Sequence, residues 1–225
     1  MWRFFKRTFL ILFLAQLVYI VALKWINPPI TITQINSLIE GNGLNRDYIS
    51  YHEMPASAKL AVIASEDQLF ATHNGFDKKS IEKALEFNDK KKGKKLRGAS
   101  TISQQVAKNV FLWQKRSWFR KALEAYFTFM IEFIWGKERI LEMYLNVSEM
   151  GIGTFGIEAA SQRYFQKPAS KLNRNEAARI AVNLPNPKKY KVNPPSPFVS
   201  SRAKWVVGQM RNLEGDLEIK KLIQP

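Results

Sequence analysis

The chain of 225 residues carries 35 lysines and arginines against 19 aspartates and glutamates, a formal net charge of +16. Because 46% of the residues are apolar and 12% are aromatic, it can bury a substantial core, which excludes a disordered protein. It contains no cysteine, which excludes a disulfide framework and a thiolate metal site. The charge requires an anionic partner, and the length suits one domain with an appendage.

The first predicted element is a membrane anchor over residues 9–26. Residues 9–23 carry no charge, and the apolar residues just beyond them bring the segment near the lower limit of about 17–25 residues for a membrane span. Three cations lie in the short stub before it, Arg3, Lys6 and Arg7. This bias predicts a cytoplasmic stub over residues 1–8 and export of the remainder.

A cleaved signal peptide is the alternative interpretation of this segment. The bulky residues that follow the apolar run, Leu23, Lys24 and Trp25, contain no small-residue cleavage site, which favours the uncleaved anchor. For an exported and anchored basic domain, we expect the anionic partner to be lipid head groups or a phosphorylated lipid, and not nucleic acid.

After the anchor, prolines at positions 28 and 29 begin a linker or juxtamembrane segment over residues 27–48. Weak alternation over residues 30–52 predicts a short extended segment. The main domain, residues 49–225, shows neither an internal repeat, nor parallel-sheet alternation, nor a convincing hairpin turn. Its predicted helices cover residues 55–66, 77–87, 103–109, 118–134, 140–145, 157–165, a segment opened by a capping box of Asn173 and Glu176, and 200–212. The predicted fold class is therefore mainly α.

Two segments of this domain have special composition. Residues 118–134 form an apolar stripe at helical spacing, made of Phe119, Ala122, Leu123, Tyr126, Phe127, Met130 and Ile134. Residues 90–97 are a run of cations around one glycine. That run is either a mobile solvated loop or an electrostatic tether to anionic head groups, and the two interpretations are compatible.

The first motif, residues 66–75, reads E-D-Q-L-F-A-T-H-N-G. Glu66 ends an apolar helix, where partial loss of solvent would raise its pKa towards that of a general base. A solvated glutamate at a helix end is the alternative. His73 can brace the loop, and with only one other histidine in the chain, His52, a histidine metal site is not favoured.

The second motif, residues 98–109, reads G-A-S-T-I-S-Q-Q-V-A-K-N. On a helix, its polar face would hold Gln104, Gln105, Lys108 and Asn109, and a lysine beside amides can bind phosphate oxygens. The alternative is an ordinary solvated helix face.

A third group consists of Arg116, Arg120, Lys121 and Glu124. Arg120 and Glu124 are one helical turn apart, so the pair is either a surface ion pair or a carboxylate flanked by cations at a cleft. Two carboxylates with several cations suit glycosyl transfer from a pyrophosphate donor, because one carboxylate deprotonates the acceptor hydroxyl and the cations neutralise the departing pyrophosphate.

These motifs, together with residues 137–146 (K-E-R-I-L-E-M-Y-L-N), resemble the peptidoglycan glycosyltransferase family, the glycan-polymerising module of penicillin-binding proteins. Four motifs stand in the family's order, and the likeness covers roughly residues 50–200. Ala99 and Asn74 depart mildly from the usual pattern. Because the chain ends near residue 225, it leaves no room for a transpeptidase domain, and we expect the monofunctional form.

The resemblance implies a lysozyme-like, two-lobed domain that polymerises lipid II by inverting β-1,4 glycosyl transfer. It implies that Glu66 is the base and Glu124 the second essential carboxylate. The implied substrate-binding residues are Lys108 and Arg116 at the pyrophosphate, Ser100, Gln104, Gln105 and Asn109 in the donor site, Arg120 and Lys121 nearby, and Asp67, Phe70 and His73 shaping the first motif.

The family also implies assistance by Mg²⁺ or Mn²⁺, no organic cofactor, and residence in the bacterial inner membrane with the catalytic domain outside the cytoplasm. Expected partners are lipid II, the growing strand, membrane lipids and other cell-wall or division proteins. Two rival hypotheses are a lytic enzyme of the same fold, which would not need a pyrophosphate clamp, and a membrane-anchored scaffold.

Overall fold

The computed structural model describes residues 1–90 and 98–224, and these residues are mainly helical, as predicted. The charge run of residues 90–97 lies outside the described residues except for its first lysine. The helices are α1 (Trp2–Ala22), α2 (Ile32–Ile39), α3 (Ala56–Glu66), α4 (Lys78–Lys90), α5 (Ile102–Phe111), α6 (Trp118–Ile134), α7 (Lys137–Val147), α8 (Ile157–Phe165), α9 (Arg174–Asn183), α10 (Pro197–Leu213) and α11 (Leu217–Ile223). The strands are β1 (Asn45–Arg46), β2 (Glu149–Gly151) and β3 (Thr154–Phe155).

The helices pack in two groups, consistent with a lysozyme-like domain. In one group α3, α9 and α10 contact one another, and α11 packs on α3. In the other group α5 contacts α2, α6 and α7, and α6 also contacts α1. Helix α7 continues to α8, and one buried apolar cluster runs through both groups. The two catalytic candidates therefore stand on different groups, Glu66 on α3 and Glu124 on α6.

Within residues 1–90 and 98–224, three helices start with complete capping boxes, in which the first side chain and the one three residues later satisfy each other's backbone N–H groups. They are Thr31 with Gln34, Thr101 with Gln104, and the predicted pair of Asn173 with Glu176. These caps fix where α2, α5 and α9 begin.

A small sheet in the order β1-β3-β2 contains a hairpin that the sequence did not predict. β2 and β3 pair antiparallel, and β1 pairs parallel with β3. At Gly153, in the turn, φ is +63°, and a Cβ there would collide with the backbone carbonyl of Asn42. The turn thus depends on glycine and on a close approach of the chain before β1.

Helix α1 is long and apolar enough to cross a membrane. It begins at Trp2, earlier than the predicted anchor, and includes the three basic residues. Its C-terminal end is docked on the domain: the Trp135 indole donates to the carbonyl of Ile20 at 2.8 Å, and Arg139 donates to the carbonyls of Leu23 and Ile26 at 3.0 and 2.9 Å.

The extended segment predicted within residues 30–52 is wrong for Ile32–Ile39, which form α2. The capping box at Thr31 starts a helix there. The inward face of α2 carries the buried polar residues Thr33, Gln34 and Ser37, and the Thr33 hydroxyl donates to the carbonyl of Asn109 on α5 at 3.1 Å. This part of the predicted linker is thus packed against α5.

The predicted apolar stripe of α6 is only partly buried, with Phe127, Met130 and Ile134 packed against the core. The buried residues are Arg120, Glu124, Thr128 and Ile131, whereas Phe119 of the stripe is 69% exposed. Helix α6 has neighbours on more than one side. Its polar face packs on α5, and the Tyr126 hydroxyl of the stripe donates to Gln16 of α1 at 3.2 Å.

Candidate active site

The first two motifs are joined by hydrogen bonds at the start of α5. Asp67 follows the last residue of α3, and its Oδ2 accepts the N–H of Ile102 at 3.0 Å. The hydroxyl of Thr101 donates to the carbonyl of Gly75 at 2.7 Å. The end of the first motif therefore sits directly against the N-terminus of the second.

His73 and Phe70 brace this junction, as predicted. The N–H of Gly75 donates to Nδ1 of His73 at 3.1 Å, which leaves the ring proton on Nε2, 3.0 Å from both oxygens of Asp67. Phe70 is fully buried and meets the His73 ring edge-on. These side chains hold the loop and do not face the cleft.

Glu66 is not a solvated helix-end glutamate. Burial raises the pKa of its carboxyl, whereas the hydrogen bond from Gln105 opposes that rise. Nε2 of Gln105 donates to Oε2 of Glu66 at 3.0 Å. A carboxylate that is partly desolvated but still hydrogen-bonded has the properties of a general base.

Tyr144 of α7 orients the amide of Gln105. Its hydroxyl donates to Oε1 of Gln105 at 3.1 Å, so the NH₂ of the amide must point to Glu66. Tyr144 is buried, and burial raises its pKa well above the ordinary value, so the hydroxyl keeps its proton. The sequence analysis assigned no role to Tyr144, although it stands in the fourth motif.

We predict that Tyr144→Phe moves the acidic limb of the pH–turnover profile to higher pH. Without the hydroxyl, Gln105 is free to rotate and stabilises the Glu66 carboxylate less, so the pKa of Glu66 rises further. The base is then ionised only at higher pH, which a pH series of turnover rates would record.

Tyr164→Phe is the matched control, because this hydroxyl donates to the carbonyl of Met150 and has no contact with Gln105. An unchanged acidic limb in Tyr144→Phe, with Tyr164→Phe also unchanged, would contradict the orienting role.

Three members of the third group, Arg120, Lys121 and Glu124, form a cluster of charges on α6. Nη1 of Arg120 lies 2.6 Å from one oxygen of Glu124, and Nζ of Lys121 lies 2.5 Å from the other. Because the Arg120 and Glu124 side chains are only 9% and 4% exposed, an ordinary surface ion pair does not describe them. Both oxygens of Glu124 are held by cations, so it organises positive charge.

Lys108 of α5 faces this cluster. Burial lowers its pKa, the charge of Glu124 opposes that fall, and the charges of Arg120, Lys121 and Arg116 add to it. Glu124 thus contacts Arg120 and Lys121, and its charge also acts on Lys108. Among the described residues, Nε of Arg120 is buried without a hydrogen-bond partner. Such an arrangement suits a polyanion such as pyrophosphate.

Two cavities open on either side of the Glu66–Gln105 hydrogen bond. One of about 310 Å³ is lined by Gln105, Lys108 and Asn109 of α5, by α2 and by residues 184–188. The other, about 590 Å³, is lined by Glu66, Ser100, the start of α4 and α10.

Two of the remaining predicted residues line these cavities, and two do not. Asn109 lines the smaller and Ser100 the larger. Gln104 lines neither, because its amide closes the capping box of α5. Arg116 is exposed in the loop before α6. Arg202 and Trp205 of α10 line the larger cavity and were missed, because no motif signals them.

The described residues do not fit a divalent cation held by the protein. Within residues 1–90 and 98–224, no three His, Asp or Glu side chains are grouped to hold a metal ion. Asp67 is bound to His73 and Ile102, and Glu124 to two cations.

Comparisons with known proteins identify the family. A family model described as transglycosylase matches residues 32–211. Three curated proteins named biosynthetic peptidoglycan transglycosylase are similar. The one from Shewanella oneidensis is 47% identical over 94% of this chain and 91% of that protein, and the one from Pseudomonas aeruginosa is 48% identical over 95% and 94%. The one from Escherichia coli is 53% identical over 81% and 76%.

The chain belongs to the transglycosylase family. It is a peptidoglycan glycosyltransferase, an enzyme that polymerises glycan strands for peptidoglycan synthesis.

Proposed function

We propose that the enzyme polymerises lipid II with Glu66 as the general base and with Lys108, Arg116, Arg120 and Lys121 binding the pyrophosphate of the donor. The observation that supports this most is the position of Gln105. Its amide holds the Glu66 carboxylate and also lines the cavity that contains Lys108. Base and cations are therefore placed on opposite sides of one side chain, as an attacking hydroxyl and a leaving pyrophosphate on opposite faces of the anomeric carbon require.

The chemistry follows from that placement. The 4-hydroxyl of the acceptor attacks the anomeric carbon of the donor, and its proton passes to Glu66. A carbon–oxygen bond forms on one face while the bond to the pyrophosphate breaks on the other, so the configuration inverts. The leaving undecaprenyl pyrophosphate gains negative charge, which the cations stabilise most strongly at the transition state.

In this proposal Glu124 acts through its neighbours. Its carboxylate fixes Arg120 and Lys121 in place, and its charge favours the ammonium form of Lys108. We therefore assign Glu124 to positioning the cations, and Glu66 alone to proton transfer.

Assistance by Mg²⁺ or Mn²⁺ remains a proposal, and we assign no protein site to the cation. Since Mg²⁺ keeps several waters and commonly binds substrate phosphates, we propose that the divalent cation enters with the pyrophosphate. Loss of turnover in chelator, restored by Mg²⁺, is the expected result.

The proposed location is the bacterial inner membrane, with a single span and the catalytic domain outside the cytoplasm. Arg3, Lys6 and Arg7 at the start of α1 support a cytoplasmic N-terminus. Large apolar side chains continue from α1 onto α6, where Trp118 is 91% and Phe133 82% exposed. We propose that this face of α6 lies at the membrane surface, close to the lipid tail of the substrate.

The proposal predicts that Glu66→Gln strongly slows polymerisation. Removing the base should lower turnover by about 10²–10⁴-fold. The pKa of Glu66 is raised in the folded protein, so ionisation of this group costs stability as pH rises through that pKa. Glutamine does not ionise, and the variant should be at least as stable as wild type at neutral pH.

The experiment compares detergent-purified wild type and Glu66→Gln on labelled lipid II, read on a glycan gel beside thermal unfolding. Long glycan from wild type alone is expected. Equal amounts of polymer from both proteins would show that another residue is the base. Rapid solubilisation of purified sacculi by wild type would favour the lytic hypothesis.

A further inference from the structure

The larger cavity has no assigned occupant. It is open at Glu66, and Lys108, Arg116, Arg120 and Lys121 are not among its lining residues. The charge that suits a pyrophosphate thus lies beyond Gln105, on the side of the smaller cavity. Glycosyl transfer needs a second sugar, the acceptor, whose hydroxyl must reach the base from a side that the donor does not fill.

Helix α10 supplies one wall of this cavity. Arg202, Trp205 and Gln209 follow at spacings of three and four, so they share one face of the helix. The other face is fixed by burial of Val199, Ala203, Val206 and Met210. We call the three cavity-facing residues the α10 wall.

The α10 wall is organised before any ligand binds. The guanidinium of Arg202 stacks on the Trp205 ring at 3.7 Å from its centroid. Nε2 of Gln68 donates to Oε1 of Gln209 at 3.3 Å, which ties the helix to the loop after Glu66. Within the described part of the chain, Arg202 forms no salt bridge, and the charge of Glu66 acts on it.

These groups match a sugar. An indole offers an apolar surface, while the guanidinium and amide offer hydrogen bonds to hydroxyl and acetamido groups. A cavity of about 590 Å³ lies in the range of small-ligand sites.

We propose that the α10 wall binds the terminal N-acetylated sugar of the acceptor and holds its 4-hydroxyl against Glu66. This inference rests on the proposed role of Glu66 as the base. Arg202 and Trp205 are substrate-positioning residues in this proposal, and they determine affinity for the acceptor but not for the donor.

The test separates the two substrates of one turnover. The donor is a lipid II capped at its 4-hydroxyl, which cannot accept. The acceptor is a lipid II analogue with a methylene in place of the anomeric oxygen, which cannot donate. Formation of the single coupled product is measured while each concentration is varied, for wild type, Arg202→Ala, Trp205→Ala and the conservative Arg202→Lys and Trp205→Phe.

We expect the acceptor KM to rise about tenfold or more in each alanine variant, with the donor KM within about twofold of wild type and partial recovery in the conservative variants. Lys204→Ala is the matched control, since Lys204 is exposed on the same helix but does not line the cavity. Thermal unfolding midpoints identify any variant that fails to fold.

An unchanged acceptor KM in folded Arg202→Ala and Trp205→Ala would overturn the inference, as would equal rises in both KM values. A wild type that forms no product would instead contradict the proposed function, so the two failures are distinct.

Discussion

Lys108→Ala is expected to slow lipid II polymerisation by about 10²–10³-fold, the effect of removing one preorganised charge from a transition state. Lys108 is the cation of α5 that faces the Arg120–Glu124 cluster and lines the smaller cavity. Since its burial costs solvation, the alanine variant should unfold at the same temperature as wild type or a higher one. Turnover on labelled lipid II and thermal unfolding measure the two effects.

The pH dependence of turnover in Lys108→Arg provides a second test of this role. Burial lowers the pKa of Lys108, so the ammonium loses its proton, and turnover should fall, at a lower pH than for an ordinary lysine. Arginine stays charged throughout this range. We expect Lys108→Arg to retain part of the activity and to lose this alkaline limb. Near-normal turnover of Lys108→Ala would remove the lysine from the mechanism.

Glu124→Ala is expected to lower both stability and turnover. The variant leaves Arg120 buried without its partner, which costs about 3–5 kcal/mol of unfolding free energy, and Lys121 loses its anchor. Denaturant unfolding in detergent measures the first effect and the lipid II assay the second.

The double variant Arg120→Met with Glu124→Leu separates these effects. It removes both buried charges, so stability should return towards wild type while turnover stays low. A fully active double variant would show that the cluster is not needed for catalysis, and a stable Glu124→Ala would contradict the buried pair.

The sequence predicted helices best where local chemistry determines them. Trp118–Ile134 and Ile157–Phe165 have the predicted bounds, and the Asn173–Glu176 capping box is present. Predictions from local sequence patterns were less reliable where tertiary contacts determine the structure. The capping box of Thr31 was overlooked, and the contact of Tyr126 in the α6 stripe with Gln16 of α1 cannot be read from periodicity within α6.

The candidate site was predicted as a set of residues but not as an arrangement. Motif spacing placed Gln105 and Lys108 on one helix face, and the structure brings both to the smaller cavity. Motif spacing could not show that the Gln104 side chain is used in the capping box of α5. It also could not show that Tyr144, 39 residues further along the chain, orients Gln105. Trp205 lies 139 residues after Glu66 in sequence and in no motif, so only the fold reveals their shared cavity.

The docking of α1 has a mechanical consequence. The carbonyls of Ile20, Leu23 and Ile26, which a free helix end would expose, are bound by Trp135 and Arg139. These hydrogen bonds hold the C-terminal end of α1 against the domain in one orientation. In the proposed membrane orientation, the cleft stays at one height above the bilayer, and it is the product strand that must slide after each addition, while the next lipid-linked unit arrives by lateral diffusion.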